Sequence, residues 1–196
     1  TTAGDYNAAE LEAALETAGV VAATASGIAT HARDRKGICF TFTIAQARAT
    51  ATALQALGIS AAAISEETEK AERRQILKDF KEGRVKWICN CAVLTEGFDE
   101  PSCNCVVIAR PTKSKPLYTQ MAGRGLRLFA GKPDCLLLDF VGVGKKNPPA
   151  GVGDLIGVVP QPGETSEDAE KREQKEKIDA GLPQDPVAAA MLAAAE

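Results

Sequence analysis

The run Gln120-Met121-Ala122-Gly123-Arg124-Gly125-Leu126-Arg127 holds the densest set of phosphate-directed groups in the chain. Arginines at i and i+3 share one face of a helix. Two fixed guanidiniums supply permanent positive charge and bidentate donors, which is what a transferring phosphoryl group requires. Two solvated surface arginines have the same spacing, so the run alone does not decide. A second candidate is Leu94-Thr95-Glu96-Gly97-Phe98-Asp99-Glu100-Pro101. Gly97 permits close backbone approach, Thr95 offers a hydroxyl to a phosphate, and Asp99 offers a carboxylate to a ribose or an arginine. Read alone, it is also an ordinary polar turn with a glycine hinge.

Other chemistries find little support. A phosphate loop needs G-x4-G-K-[ST], so that backbone N–H groups cradle phosphates. Gly131-Lys132 is followed by Pro133, and Gly144-Lys145 by Lys146. Residues 136–139 are an apolar run closed by an aspartate, but Phe140 follows where a second acid is expected, so the run reads as a strand end. His31 is the only histidine and sits in a polar run, which leaves no visible Ser-His-Asp or Cys-His site. Cys89 and Cys91, like Cys103 and Cys105, are separated by one residue. Zinc sites use wider spacing in loops, so these thiols read as buried structural cysteines and no metal site is expected.

These groups need elements to hold them. Strand-like runs at 38–42, 59–64, 85–90, 105–109 and 135–140 alternate with helical runs at 45–57, 68–82 and 115–128. Ala47, Ala51 and Leu54 mark the inner face of the first helix, and Ile76, Leu77 and Phe80 that of the second. Apolar strands alternating with helices predict an α/β fold with a parallel sheet covered on both faces. Ligands of such sheets bind at the carboxyl ends of the strands. That expectation puts 41–44, 90–99 and 110–113 on one working edge.

The ends read differently. Residues 1–35 form an alanine-rich helical lead-in, with a helix over 8–18 closed by Gly19. Residues 142–163 are Gly/Pro-rich and read as linker, 164–178 as a solvated helix or a disordered run, and 188–195 as a last short helix. The 196 residues are 45% hydrophobic and 25% charged, enough to bury a core. The net charge of −3 is uneven, because residues 145–196 carry 6 basic and 10 acidic groups. The body is thus near neutral, which leaves room for a local basic groove but not a basic coat. No apolar run reaches the ~20 residues of a membrane span, and no secretory signal opens the chain. The expected setting is reducing and cytoplasmic. Thr1 in place of Met suggests a processed or excised fragment.

Taken together and in order, the motifs resemble those of the second RecA-like domain of superfamily 2 helicases and translocases, especially the restriction-type and RadD-like DNA translocases. Residues 37–43 (GICFTFT) resemble motif IV, 90–101 (NCAVLTEGFDEP) motif V, and 118–128 (YTQMAGRGLRL) motif VI, while 110–115 (RPTKSK) is typical of that branch. The resemblance implies a RecA-like domain over 36–144, behind a lead-in over 1–35 and ahead of a linker and acidic, partly disordered tail over 145–196. It implies that Gln120, Arg124 and Arg127 face ATP phosphates, one of the arginines acting as a finger, with Gly97, Asp99 and Gly123 on the nucleotide side. Thr43, Thr95, Arg110 and Lys113 would contact the nucleic-acid backbone, DNA before RNA. ATP with Mg2+ would be held mainly by an upstream RecA-like domain of the same polypeptide, leaving this chain inactive alone. The alternative is a non-catalytic nucleic-acid- or protein-binding module of the same fold.

Overall fold

The computed structural model describes residues 19–93, 99–112, 114–140, 161 and 165–179. The expected helices over 8–18 and 188–195 and most of the 142–163 linker lie outside the described residues, as do Thr95, Gly97 and Lys113. The chain divides into two units, Thr1–Ala150 and Gly151–Glu196.

In the first unit, α1 (Val20–His31) precedes β1 (Gly37–Thr41), α2 (Ile44–Ala56), β2 (Ala61–Ile64), α3 (Lys70–Lys81), β3 (Trp87–Asn90), β4 (Cys105–Ala109), α4 (Lys115–Gly123) and β5 (Leu136–Asp139). The five strands make one sheet in the order β2-β3-β1-β4-β5, and every neighbouring pair is parallel. The central strands β1, β3 and β4 are buried along their whole length. Their β-branched, aromatic and cysteine side chains suit a surface packed on both faces.

Successive strand residues point to opposite faces. Cys39, Cys89, Cys105, Val107 and Ala109 share one core with Ala25, Ile28 and Ala32 of the α1 region and with Ala47, Ala51 and Leu54 of α2. The residues expected on the inner face of α2 are therefore the buried ones, and the lead-in contributes to the same core. On the other face, the turn after α4 packs on Val106, so the sheet carries helices on both sides. Of the three residues expected inward on α3, Phe80 is buried, while Ile76 and Leu77 are half-buried.

In the second unit, α5 (Ser166–Asp179) replaces the expected choice between helix and disorder. The Thr165 hydroxyl caps it by accepting from the Asp168 N–H at 3.1 Å. Arg172 and Glu176 pair one turn apart. Among the described residues no helix is long and apolar enough to cross a membrane.

All six cysteines are free thiols. Burial pushes Cys103 up to about 12 and Cys105 higher still. Cys39 is raised by its contact with Cys89, its register partner, and by burial. The thiolate is the reactive form. At pH 8 the folded chain should therefore label with a thiol reagent at Cys103 roughly 10³-fold more slowly than the urea-unfolded chain. Comparable rates in the two states would contradict this burial.

Candidate functional site: two edges of one sheet

The carboxyl edge is held by short polar side chains. The Thr41 hydroxyl lies 3.1 Å from the carbonyl oxygens of both Thr43 and Asn90. The buried Asn90 amide donates to the Cys39 carbonyl at 3.1 Å. These contacts clasp the ends of β1 and β3. Thr43 is the N-cap of α2, its hydroxyl accepting from the Gln46 N–H at 3.1 Å. Gln46 reaches back in turn and accepts from the Phe42 N–H at 3.2 Å. This is a close variant of the reciprocal Thr-x-x-Gln capping arrangement.

The Arg110 guanidinium lies over the Phe42 ring, 5.6 Å from its centroid. Thr43 and Arg110 are thus brought together around Phe42, both half-buried. Close by, Ala92 takes a left-handed φ of 60°, a conformation that costs a non-glycine residue roughly 1–2 kcal/mol. Local strain of this kind gathers at working sites.

The arginine run lies at the opposite edge. Helix α4 starts after β4 leaves the carboxyl edge and runs back along the sheet. Its end is five residues earlier than the periodicity predicts, at Gly123. From there the backbone tightens, with Arg124 N–H bonding to Met121, Gly125 to Ala122 and Leu126 to Gly123. Such i to i−3 bonds are a 3₁₀-like winding. A Cβ on Gly125 would stand 2.3 Å from Cys135 Sγ and 2.7 Å from Val106 Cγ2. Only glycine lets the turn lie this close to the entrances of β4 and β5.

The two arginines then diverge. Arg124 is buried and Arg127 half-exposed. Arg127 Nη1 donates to Asp99 Oδ1 at 2.5 Å. Asp99 therefore belongs to the amino edge, not to the carboxyl edge where the single-edge reading put it. The reason is topological: a chain about to enter parallel β4 at Cys105 must already have returned across the sheet. Leu126, Leu128 and Phe129 surround Arg127 in sequence and are 62%, 97% and 50% exposed. Gln120 is half-buried on α4. A side chain added at Gly123 would meet nothing within 4 Å, so its surface is open.

Two supporting contacts escape a reading by motif. Tyr118 donates from its hydroxyl to Asp139 Oδ2 at 2.9 Å, pinning α4 to the end of β5. Asp139 is thus a strand-end anchor. Lys36 lies 3.3 Å from the buried Glu100 carboxylate, donates to Ser102 Oγ at 2.7 Å, and sits over the Phe80 ring. An acid next to Asp99 in a segment otherwise read as a polar turn was the only available signal for Glu100.

A fully parallel five-stranded sheet with an arginine turn at one end and a capped threonine at the other defines a RecA-like α/β domain. The chain belongs to the helicase conserved C-terminal domain family, whose model matches residues 20–129. It is 42% identical over 85 residues to a Saccharomyces cerevisiae protein named ATP-dependent helicase Irc3, covering 43% of this chain and 12% of that protein. A mitochondrial ATP-dependent helicase Irc3, so named, of Schizosaccharomyces pombe is 45% identical over 111 residues, covering 56% of this chain and 18% of that one. A 51.5 kDa protein of a Lactococcus phage is 33% identical over 111 residues, covering 57% and 24%. The matched stretch is thus a quarter or less of each of these relatives.

Among solved structures, the C-terminal domain of the DEAD-box protein Dbp5 superposes with a TM-score of 0.56 at 22% identity, covering 67% of this chain and 73% of that one. A fragment described as an HsdR subunit of a type I restriction enzyme from Vibrio vulnificus superposes at 0.55 with 25% identity, covering 64% and 28%.

Removing the Thr43 cap by Thr43→Ala should cost about 1 kcal/mol, with Thr43→Ser close to neutral. Gly125→Ala should cost about 1–3 kcal/mol through overpacking. Urea unfolding of the 196-residue chain measures both. An unchanged midpoint for Gly125→Ala would contradict the close packing of the arginine turn.

Proposed function

We propose that this chain is the second motor domain of an ATP-dependent DNA helicase or translocase, with Arg127 as its arginine finger. The observation that carries the reading is Arg127 itself. Its guanidinium pairs with the Asp99 carboxylate at an open sheet edge, amid three exposed apolar side chains. A cation placed among uncovered apolar groups suits a face that another domain closes over.

On this reading a preceding RecA-like domain of the same polypeptide binds ATP. Arg127, Arg124 and Gln120 offer N–H donors, which suit phosphate oxygens, so Mg2+ would be held by the preceding domain. Closure would bring Arg127 from Asp99 towards the γ-phosphate, where a fixed positive charge stabilises the transferring group. The open surface of Gly123 would admit the nucleotide, and Gly97 and Asp99 would line its near side. At the other edge, Thr43 and Arg110, with Thr95 and Lys113, would hold phosphates of the nucleic-acid strand. Such contacts track a backbone without reading sequence.

Five residues of strand separate the edges by about 15 Å, so one rigid sheet would link nucleotide closure to strand movement. The resemblance to restriction-type translocases favours DNA over RNA.

Arg127→Ala in the complete polypeptide should lower DNA-stimulated ATP turnover by about 10³-fold or more, with DNA affinity within about threefold. Steady-state turnover and a DNA-binding titration measure the two. Undiminished turnover would overturn the finger assignment.

A further inference from the structure

Lys132 belongs to none of the motifs and follows Gly131 in what reads as a broken phosphate loop. The structure gives it a different task. Its ammonium donates to three backbone carbonyls: Gly125 at 2.5 Å, Arg127 at 2.8 Å and Pro101 at 3.2 Å. A lysine ammonium has three protons and no acceptor, so its donor capacity is fully used. Gly131, at a φ of 79°, provides the left-handed turn that folds Lys132 back onto this site.

The choice of carbonyls matters. One belongs to Arg127. Another belongs to Pro101, two residues after Asp99, the carboxylate that holds the Arg127 guanidinium. The third belongs to Gly125, where the turn is pressed against Val106 and Cys135. A single cation therefore fixes, from the backbone side, both partners of the Arg127–Asp99 pair. Lys36 anchors the acidic segment from the opposite side through Glu100. Without the ammonium, the carbonyls of Pro101, Gly125 and Arg127, on two separate segments, would lose a charge-assisted donor.

We propose that Lys132 is a positioning residue for Arg127: by clamping residues 101 and 125–127 together it sets where the guanidinium stands at the amino edge. The consequence for turnover rests on Arg127 meeting the phosphate. The positioning itself does not.

The first test therefore uses the 196-residue chain alone, 15N-labelled at arginine, with the Arg127 guanidinium signal assigned by its loss in Arg127→Lys. In the unmodified chain the signal should stand away from that of free arginine, and Asp99→Asn should move it towards that position. Lys132→Met should move it the same way while the dispersed amide signals of the sheet persist. An unmoved guanidinium signal overturns the proposal. If Lys132→Met loses the dispersed spectrum, Lys132→Gln, which keeps two donors on a shorter arm, takes its place under the same criterion. If neither variant folds, Lys132 is a determinant of the fold and the positioning role is wrong.

The second test uses the complete polypeptide. Lys132→Met should lower kcat for ATP by about 10–100-fold, as expected for a misplaced catalytic group, with KM within about threefold. In an Arg127→Ala background it should lower the residual rate no further. An equal loss in both backgrounds overturns the proposal, because Lys132 would then act independently of Arg127. Normal turnover in Arg127→Ala alone would instead remove the finger assignment, leaving the guanidinium result to decide the positioning.

Discussion

Parallel strand direction is the constraint on which the rest of the domain depends. Strands that all run one way give the sheet two chemically different ends, and every connection must cross the whole sheet before the next strand begins. The chain leaving β3 therefore carries Asp99 back to the amino edge. The chain leaving β4 carries the arginine turn to the same edge by way of α4. Asp99 and Arg127, 28 residues apart, meet there. Thr43 and Arg110 stay at the carboxyl edge, where the strands that lead to them end. The separation of two candidate surfaces thus follows from topology before any ligand is considered.

Packing then decides how much freedom each surface has. At the carboxyl edge, the Thr41–Asn90 clasp and the Thr43–Gln46 cap use short side chains and backbone groups. The result is stiff and leaves the Thr43 hydroxyl a proton to donate. At the amino edge the geometry depends on long cations. Lys36 holds the Glu100 side, Lys132 holds the carbonyls, and Arg127 reaches a largely exposed carboxylate. An exposed ion pair is worth little in isolation, about 0–1 kcal/mol. The Asp99 contact is therefore a cheap one to exchange for a better anion, whereas the Arg127 backbone is held by the Lys132 ammonium, which does not move with the guanidinium. The proposed finger role requires this division, with a fixed base and a tip that can be redirected.

Much of this was legible in the sequence. The strand and helix alternation and the alanine face of α2 are local patterns, and local patterns fix elements. The arginine run was found for the same reason. The early end of α4 was not, because the periodicity of Tyr118, Met121 and Ala122 continues smoothly into Gly125, and only the contact of Gly125 with Val106 and Cys135 forces the tighter winding. The single working edge was also misread, since pairing of Asp99 with Arg127 depends on which way the chain crosses the sheet. Lys132 was noticed only as a loop that fails to be a phosphate cradle. Its partners are carbonyl oxygens, which every residue carries and which leave no mark in a sequence.

Arg127 is proposed to complete a nucleotide site whose other half lies in a second domain. ATP hydrolysis is to be measured for three samples with and without DNA: this 196-residue chain, the RecA-like domain proposed to precede it, and the two together. The expected result is no turnover from this chain, slow turnover from its counterpart, and DNA-stimulated turnover when both are present. Sustained turnover by this chain alone would contradict it and would place the nucleotide site elsewhere on the sheet.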